Sequence, residues 1–324
     1  MLVGDDGGAR PLDSPLFRAR CWNAKRVNQF VQSAQRCEDF NSETFRPISE
    51  LGRRRIIAVG DLHGDMESAL SVLRMANVVD ENGKWVGNNT VLVQTGNVID
   101  QGPDTKDLLS LFPRLAQEAN RVGGRVIQLL GEHEIMNMMG DLRFVKERPD
   151  EFLSPESRAI TFSSTGYLGF RLFNLPLAHR VGHTVFAHSG IAPRWAASGI
   201  QTINRLAKSG LSDYALKSNS SPHADQLAIL GASGPTQYAN YTESSESIAC
   251  NTLWSALSIM NVQRMVIGRQ LQKDGKITSR CGARLLFINT GISSAIAGKQ
   301  SALEILPDGE VRAIYPSGSV TITL

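Results

Sequence analysis

Short apolar runs alternate with longer amphipathic segments along the chain from about residue 55 onward. The runs are rich in β-branched residues, as strands are, and the segments between them have the length and periodicity of helices. This alternation predicts an α/β domain built in layers. The predicted strands are Ile56 to Val59, Thr90 to Val93, Val126 to Leu130, Thr184 to Ala187, Met265 to Ile267 and Leu285 to Ile288.

A polar cluster follows each of these predicted strands. In chain order the clusters are GDLHGD, GNVIDQG, GEHE, HSG, GRQ and NTG. Open α/β sheets place their functional sites at the carboxyl ends of strands. One polar strand end is common, but six in succession indicate a site assembled from several loops.

Two stretches of the chain fall outside this pattern. Residues 1 to about 50 form a leader with Gly-rich and Pro-containing ends and a helix candidate around Ala24 to Arg36, which we expect to pack on the domain or to dock a partner. Residues 51–324 form the main domain. Within it, the stretch from about 204 to 247 is rich in Ser, Gly and Asn, and its prolines predict a long surface insertion without helices.

The composition is that of an ordinary globular protein, with 42% hydrophobic and 20% charged residues. A net charge of +3 is too small to indicate nucleic-acid binding. No uncharged apolar run reaches the roughly 18 residues that predict a membrane span. Because the leader lacks the apolar core of a secretory signal, we expect an intracellular protein, not a secreted one. Its basic residues leave an organellar address, mitochondrial included, open beside a cytoplasmic one.

The cysteines show neither CxxC nor finger-like spacing. They are Cys21, Cys37, Cys250 and Cys281. This spacing argues against a structural zinc site and against a dense disulfide framework. We therefore expect reduced thiols.

The first polar cluster combines carboxylates with an imidazole. Asp61, His63 and Asp65 follow the first predicted strand within five residues. Carboxylate and imidazole together suit zinc, iron or manganese. Taken alone, the pattern is equally consistent with an ordinary loop.

Taken with the later clusters, the chain resembles the PPP-type serine/threonine phosphatases of the calcineurin-like superfamily, most closely the Shewanella-like branch. The resemblance covers roughly residues 53–305. It includes GEHEIMNMMGDLRF at 131–144, which is similar to that branch's GNHExMNxxGDLRY. VFAHSGI at 185–191 and NTGIS at 289–293 are similar to two further family segments. The resemblance implies a β-sandwich flanked by helices, with a two-metal site for phosphomonoester hydrolysis.

The resemblance also implies which residues would bind metal. Asp61, His63 and His188 match family ligands. Three other ligand positions differ: Asn97 stands at the carboxylate that bridges the two metals, Glu132 at an asparagine and Arg269 at a histidine. A neutral amide cannot offset the repulsion of two dications about 3.5 to 4 Å apart. We therefore expect either no metal or one weakly bound manganese, iron or zinc ion, with Glu132 as an additional candidate ligand.

The implied phosphate-binding positions are also changed. Gln101 and Ala256 stand where the family has arginines, so the charged fork that holds a phosphoryl group is lost. His133, the general acid implied by the resemblance, and its partner Asp100 remain. An acid pair is thus expected without its phosphate clamp.

Glu132 and Arg269 would both face the position of the second metal. We expect their head groups to lie within about 4 Å, so that a guanidinium replaces the cation. The alternative is that both are unconnected surface residues.

Two functions remain open from the sequence. The first is a catalytically inactive phosphatase-like protein that binds unidentified protein partners as a scaffold or a subunit of a larger complex. The leader and the stretch 204–247 would make the contacts, because loops vary without cost to the core. The second is a weak phosphoesterase that holds one metal on Asp61, His63 and Glu132, with His133 as the acid.

Overall fold

The computed structural model describes residues 54–146, 151–215 and 224–323. Its strands are β1 Ile56–Val59, β2 Val91–Gln94, β3 Arg125–Gln128, β4 Ala178–Val181, β5 Thr184–Ala187, β6 Arg264–Ile267, β7 Thr278–Arg280, β8 Leu285–Phe287, β9 Ala302–Ile305, β10 Val311–Tyr315 and β11 Gly318–Thr321. Its helices are α1 Met66–Met75, α2 Thr105–Arg121, α3 Glu132–Met138, α4 Pro155–Phe162, α5 Tyr167–Leu172, α6 Pro193–Ser198, α7 Ile200–Ala215, α8 Ala224–Leu230, α9 Asn240–Glu243 and α10 Glu246–Met260. In these ranges no helix has the length and apolar character needed to span a membrane.

The strands form two mixed sheets. The first has the order β11-β10-β9-β1-β2-β3, and the second has the order β4-β5-β6-β8-β7. In the first sheet β1, β2 and β3 are parallel, and in the second β5, β6 and β8 are parallel. The parallel strands of each sheet therefore end at one edge, where the polar clusters follow them.

Both faces of β1 are covered. Ile56 and Ala58 belong to an apolar cluster that joins the two sheets, whereas Ile57 and Val59 pack into the larger cluster that includes the helices. All four side chains are at most 3% exposed, which explains a continuous apolar run without polar alternation. The predicted β-sandwich flanked by helices is thus confirmed.

All six predicted strands are present, with ends that differ by at most two residues. The apolar runs do not predict the other five strands of the described chain. Two of these, β7 and β11, lie at sheet edges and contain mostly polar or exposed residues. Edge strands bury one face or less, so their sequences lack an apolar run.

The stretch 204–247 is not a helix-free surface loop, and that prediction is wrong. Within its described part lie most of α7, all of α8 and α9, and the start of α10. Ile203, Ala207 and Leu211 repeat at helical spacing and are at most 3% exposed. The polar composition of this stretch hides an amphipathic pattern. The leader at 1–50 and its helix candidate lie outside the described residues.

The expectation of reduced thiols is wrong for one pair of cysteines. Cys250 on α10 and Cys281 in the turn after β7 form a disulfide across 31 residues of sequence. Packing of α10 beside β7 brings the two thiols together, and spacing along the chain cannot show this. Cys21 and Cys37 lie outside the described residues.

Candidate functional site

The loops after β1, β2, β3, β5, β6 and β8 meet at one edge of the sandwich. Hydrogen bonds and ion pairs link the side chains that they carry: Asp61, Asn97, Asp100, Glu132, His133, His188, Arg269 and Asn289. The site predicted from the six polar strand ends is therefore assembled as one cluster. Asn289, from the NTG segment, joins it through its side-chain amide.

Asp61 is the buried carboxylate at the centre of this cluster, with 2% of its surface exposed. Its Oδ2 accepts hydrogen bonds from the Asn97 amide at 3.0 Å and the Asn289 amide at 3.1 Å. Its Oδ1 has no hydrogen-bond partner among the described residues. A buried unpaired carboxylate oxygen is costly, so this atom is suited to a cation.

Two imidazoles are held by backbone carbonyls. His63 Nδ1 lies 3.3 Å from the Ile99 carbonyl, and His188 Nδ1 lies 2.8 Å from the Thr95 carbonyl. A carbonyl only accepts, so each Nδ1 carries a hydrogen, and Nε2 is the nitrogen of each ring that is available to bind another group. His63 Nε2 lies 3.5 Å from Asp61 Oδ2. His63 and Asp61 thus present an imidazole nitrogen and a carboxylate to the same space.

The Nε2 of His188 faces Glu132 instead. It is in direct contact with Glu132 Oε2, and Arg269 Nε lies 3.6 Å from Glu132 Oε1. The predicted proximity of Glu132 and Arg269 is confirmed, and the alternative of two unconnected surface residues is wrong. We call Glu132, His188 and Arg269 the ion cluster.

Charge in the ion cluster changes the titration of both partners. Burial by itself lowers the pKa of His188, but the charges of Glu132 and Asp61 outweigh it and raise that pKa to about 9. Burial raises the pKa of Glu132, but the charge of His188 outweighs it and holds that pKa well below its usual range. An imidazolium has a hydrogen on each nitrogen and cannot bind a metal. With no metal bound, the charges of Glu132 and Asp61 thus favour the protonated form of His188.

Asn97 uses both ends of its amide inside the protein. Its nitrogen donates to Asp61, and its oxygen accepts the backbone N–H of His133 at 3.1 Å. The amide orientation follows from the partners, because a carboxylate only accepts and an N–H only donates. A Cβ at Gly131 would lie 2.2 Å from this oxygen, so the backbone must be glycine there. Asn97 therefore offers no carboxylate to bridge two cations, only a neutral amide oxygen that already accepts one hydrogen bond.

The expected acid pair is in place. His133 Nδ1 lies 2.8 Å from Asp100 Oδ2. Burial lowers the pKa of His133, but the hydrogen bond and charge of Asp100 outweigh it, so the pKa is raised. The second oxygen of Asp100 accepts from the Arg158 guanidinium at 2.6 Å. Arg158 is 4% exposed on α4 and was absent from the sequence prediction, because it lies 58 residues from Asp100 along the chain.

The second glutamate of the GEHE segment, Glu134, has a structural role. Glu134 is fully buried and accepts backbone N–H groups of Gly131, Asn97 and Val98 at 2.8 to 2.9 Å. Burial raises its pKa. Its carboxylate joins the start of α3 to the loop that carries Asn97. The only sequence signal for this role is a glutamate in the first turn of a helix.

Asp65 is not part of the cluster, so its interpretation as an oxygen ligand is wrong. It is the N-cap of α1 and accepts the backbone N–H of Ser68 at 2.9 Å. It also accepts the backbone N–H and the hydroxyl of Ser294. An aspartate directly before a helix commonly caps it, and Asp65 stands directly before the helical MESAL segment.

The two positions expected to have lost arginines offer no cation. Gln101 donates through Nε2 to the Phe144 carbonyl at 3.3 Å. Ala256 is fully buried on α10 in the apolar core. In the described part of the chain, the group of His, Cys, Asp and Glu ligand atoms lying within 4.8 Å of one another is Glu246, Cys250 and Cys281. Because its two sulfurs form a disulfide, that group is not a metal site.

Comparison with known proteins agrees with this geometry. Residues 54–268 match the family described as calcineurin-like phosphoesterase. Over 273 residues the chain is 36% identical to an uncharacterized protein of Schizosaccharomyces pombe, covering 80% of each chain. Over 313 residues it is 28% identical to Shewanella-like protein phosphatase 2 of Arabidopsis thaliana, covering 80% of this chain and 77% of that protein. The resemblance to the Shewanella-like branch is therefore confirmed.

A solved structure shares the fold. The cold-active protein-tyrosine phosphatase of a psychrophilic Shewanella species superposes with a TM-score of 0.72 and 22% sequence identity. The match covers 83% of this chain and 80% of that one. At this identity the likeness establishes the fold and leaves the chemistry to the residues of the site.

Proposed function

The chain belongs to the calcineurin-like phosphoesterase family, and from that premise we propose that it is a catalytically inactive relative of the serine/threonine phosphatases that binds protein partners as a scaffold or subunit. The observation that carries the proposal is the ion cluster. Glu132, His188 and Arg269 sit at positions that the family resemblance assigns to the second metal. They contact one another in its place.

The ion cluster supplies positive charge without a metal. A guanidinium and an imidazolium there already exceed the single negative charge of the Glu132 carboxylate. A second divalent cation would have to displace Arg269 and remove the proton from His188 Nε2. His188 is fully buried, so separating it from Glu132 is unfavourable because it leaves an unpaired charge in a low dielectric, whereas the Arg269 side chain is 38% exposed and contributes less.

Phosphate binding is weakened at the same site. Gln101 is neutral, and the amide of Asn97 is already bonded to Asp61 and His133. Removing a single preorganised charge-stabilising donor from an active site costs roughly a hundredfold to a thousandfold in rate. Loss of the bridging carboxylate together with the arginine would therefore reduce turnover by several decades. His133 and Asp100 would keep a proton donor without a positioned substrate.

The test combines metal content with turnover. Purified protein is exchanged into metal-free buffer, analysed for metals, and assayed with p-nitrophenyl phosphate and added manganese. We expect no turnover from the natural sequence. Two metals per chain together with turnover would overturn the proposal and make Glu132 a working ligand.

A rebuilt site serves as the positive control. The combined change Asn97→Asp, Gln101→Arg, Glu132→Asn and Arg269→His should restore metal binding and manganese-dependent turnover. Adding His133→Asn to the rebuilt variant should remove the gained turnover. Turnover in the rebuilt variant alone would support the view that this scaffold is intact and lacks only the metal and phosphate clamp.

A specific observation favours a second candidate, a phosphoesterase with one metal. Asp61 Oδ1 is buried without a hydrogen-bond partner in the described chain, and His63 Nε2 lies 3.5 Å from the other Asp61 oxygen. These two side chains would supply two ligands to one divalent cation, a carboxylate oxygen and an imidazole nitrogen. Such a cation would supply Lewis acidity for ester hydrolysis when bound. His133, whose pKa is raised, would hold the proton for the leaving alkoxide.

The two candidates differ in measurable ways. The one-metal enzyme requires one metal per chain and turnover that is lost with Asp61→Asn. The inactive protein shows no turnover at any metal content, and Asp61→Asn changes only its stability. One bound metal without turnover would exclude the enzyme and leave the scaffold.

A further inference from the structure

A groove lies at the other end of the second sheet from the candidate site. Arg264 is the first residue of β6, whereas Arg269 follows its end, so the two are roughly 15 Å apart along the strand direction. The groove has a volume of about 700 Å³. Arg264, Arg284 and Trp254 line it, and the Cys250–Cys281 disulfide forms one wall.

Two guanidinium groups in this groove have no acidic partner. Both Nη atoms of Arg264 lie 3.3 Å from the Gly309 carbonyl, and Arg284 Nη1 lies 3.4 Å from the Gln263 carbonyl. Neither arginine forms an ion pair with any described carboxylate, although Arg264 is only 6% exposed. Burial and the charge of Arg284 both lower the pKa of Arg264. The groove therefore holds two like charges whose repulsion an anion would relieve.

An exposed aromatic ring lies next to these charges. The Trp254 side chain is 49% exposed, and the Arg284 guanidinium stacks 4.5 Å from the centre of its ring. Tryptophan and arginine are the residues most enriched where protein partners bind tightly. The pair offers an apolar surface beside a charge.

The groove is held in shape by its surroundings. Cys281, Gly282 and Ala283 are consecutive residues with positive φ of 58°, 63° and 54°. The disulfide ties this turn to α10, and Glu246 accepts the Cys281 N–H at 2.8 Å. Glu246 also binds the Arg280 guanidinium at 2.6 Å. A preformed groove loses little conformational entropy on binding.

We infer that this groove binds an acidic segment of a partner protein. A glutamate or aspartate carboxylate would bind between Arg264 and Arg284, and a neighbouring apolar side chain would pack on Trp254. Charge complementarity favours this occupant, because two unpaired cations match one or two carboxylates. A nucleic acid needs a larger positive surface, typically 6 to 10 phosphate contacts. This inference does not depend on whether the candidate site is active.

The probe is a fluorescein-labelled dodecapeptide of alternating glutamate and leucine, titrated with the full chain and followed by fluorescence anisotropy. The same peptide with glutamine in place of glutamate is the charge control. We expect saturable binding of the acidic peptide and about tenfold weaker binding of the glutamine peptide, which corresponds to about 1.4 kcal/mol.

Matched variants locate the binding. Arg284→Gln and Trp254→Ala should each weaken binding of the acidic peptide about tenfold. Arg194→Gln is the control, because Arg194 is also exposed and stacks on a tryptophan, 4.2 Å from the Trp195 ring, outside the groove. Thermal unfolding of each variant verifies that it folds. If Arg284→Gln does not fold, Trp254→Ala alone tests the groove.

Several outcomes would overturn the inference. They are no binding of the acidic peptide at millimolar concentration, equal weakening by Arg194→Gln, and no effect of either groove variant. If a duplex DNA oligonucleotide displaced the acidic peptide at a lower concentration than unlabelled peptide does, the groove would bind nucleic acid and the inference of a protein partner would be wrong.

Discussion

Glu132→Gln tests the ion cluster through the stability of the protein. His188 is fully buried, and its pKa rises from an ordinary 6.5 to about 9 mainly because the charges of Glu132 and Asp61 outweigh burial. One pH unit corresponds to about 1.4 kcal/mol, so this change corresponds to about 3 kcal/mol of folding stability. The variant keeps the shape of the side chain and removes its charge.

The sign of the effect follows from the raised pKa. The folded protein holds the His188 proton more tightly than the unfolded chain does. The contribution is therefore complete below pH 6.5 and is lost as the pH rises through about 9. At about pH 7.5 it should be about 2 kcal/mol. In Glu132→Gln most of this dependence should disappear.

The assay is urea unfolding at about pH 6, 7.5 and 10, with chelator present so that metal does not contribute. The natural chain should lose about 3 kcal/mol more than the variant between the lowest and highest pH. Glu67→Gln, at an exposed glutamate of α1, controls for the loss of one surface charge. The same pH slope in the natural chain and Glu132→Gln would refute the reasoning, as would a more stable variant at pH 6.

Three further predictions concern parts of the fold outside the ion cluster. Burial and then the charge of Arg125 lower the pKa of His179 to about 4. The free energy of unfolding should therefore fall as the pH drops from 6.5 toward 4, by at most about 3 kcal/mol. In acid unfolding curves, His179→Gln should flatten that decline. Reducing the Cys250–Cys281 disulfide should lower the free energy of unfolding by about 3 to 4 kcal/mol, from the loop-closure relation. Urea unfolding with and without dithiothreitol measures this difference, and no change would show that the bond does not contribute. Gly131→Ala should destabilise the chain by about 1 to 3 kcal/mol, because the new Cβ would lie 2.2 Å from the Asn97 oxygen; an unchanged melting temperature would contradict the close contact.

Local sequence patterns predict much of the fold. Ile56 to Val59 is an apolar run of strand length that ends in polar residues, and its β character follows from neighbours a few residues away. The same holds for the other five predicted strands. Packing of the two sheets then places Asp61 and His63, which follow β1, near His188, which follows β5. Motif resemblance adds the pairing of His133 with Asp100.

What the sequence leaves undecided depends on contacts between distant residues. Arg158 reaches Asp100 across 58 positions, and Cys250 reaches Cys281 across 31. No local periodicity contains such pairs, because they depend on how α4 and α10 pack on the sheets.

Residues of the same motif can have different physical roles, and only the folded chain shows them. Asp65 and Asp61 both belong to the GDLHGD segment, yet one caps a helix and the other is buried at the centre of the site. The residue types in the sequence determined that carboxylates, imidazoles and a guanidinium would meet at the carboxyl edge of the sheets. The sequence predicted that Glu132 lies near Arg269, but only the tertiary structure decided that Glu132 also pairs with His188, because burial and the directions of the loops set which charges touch.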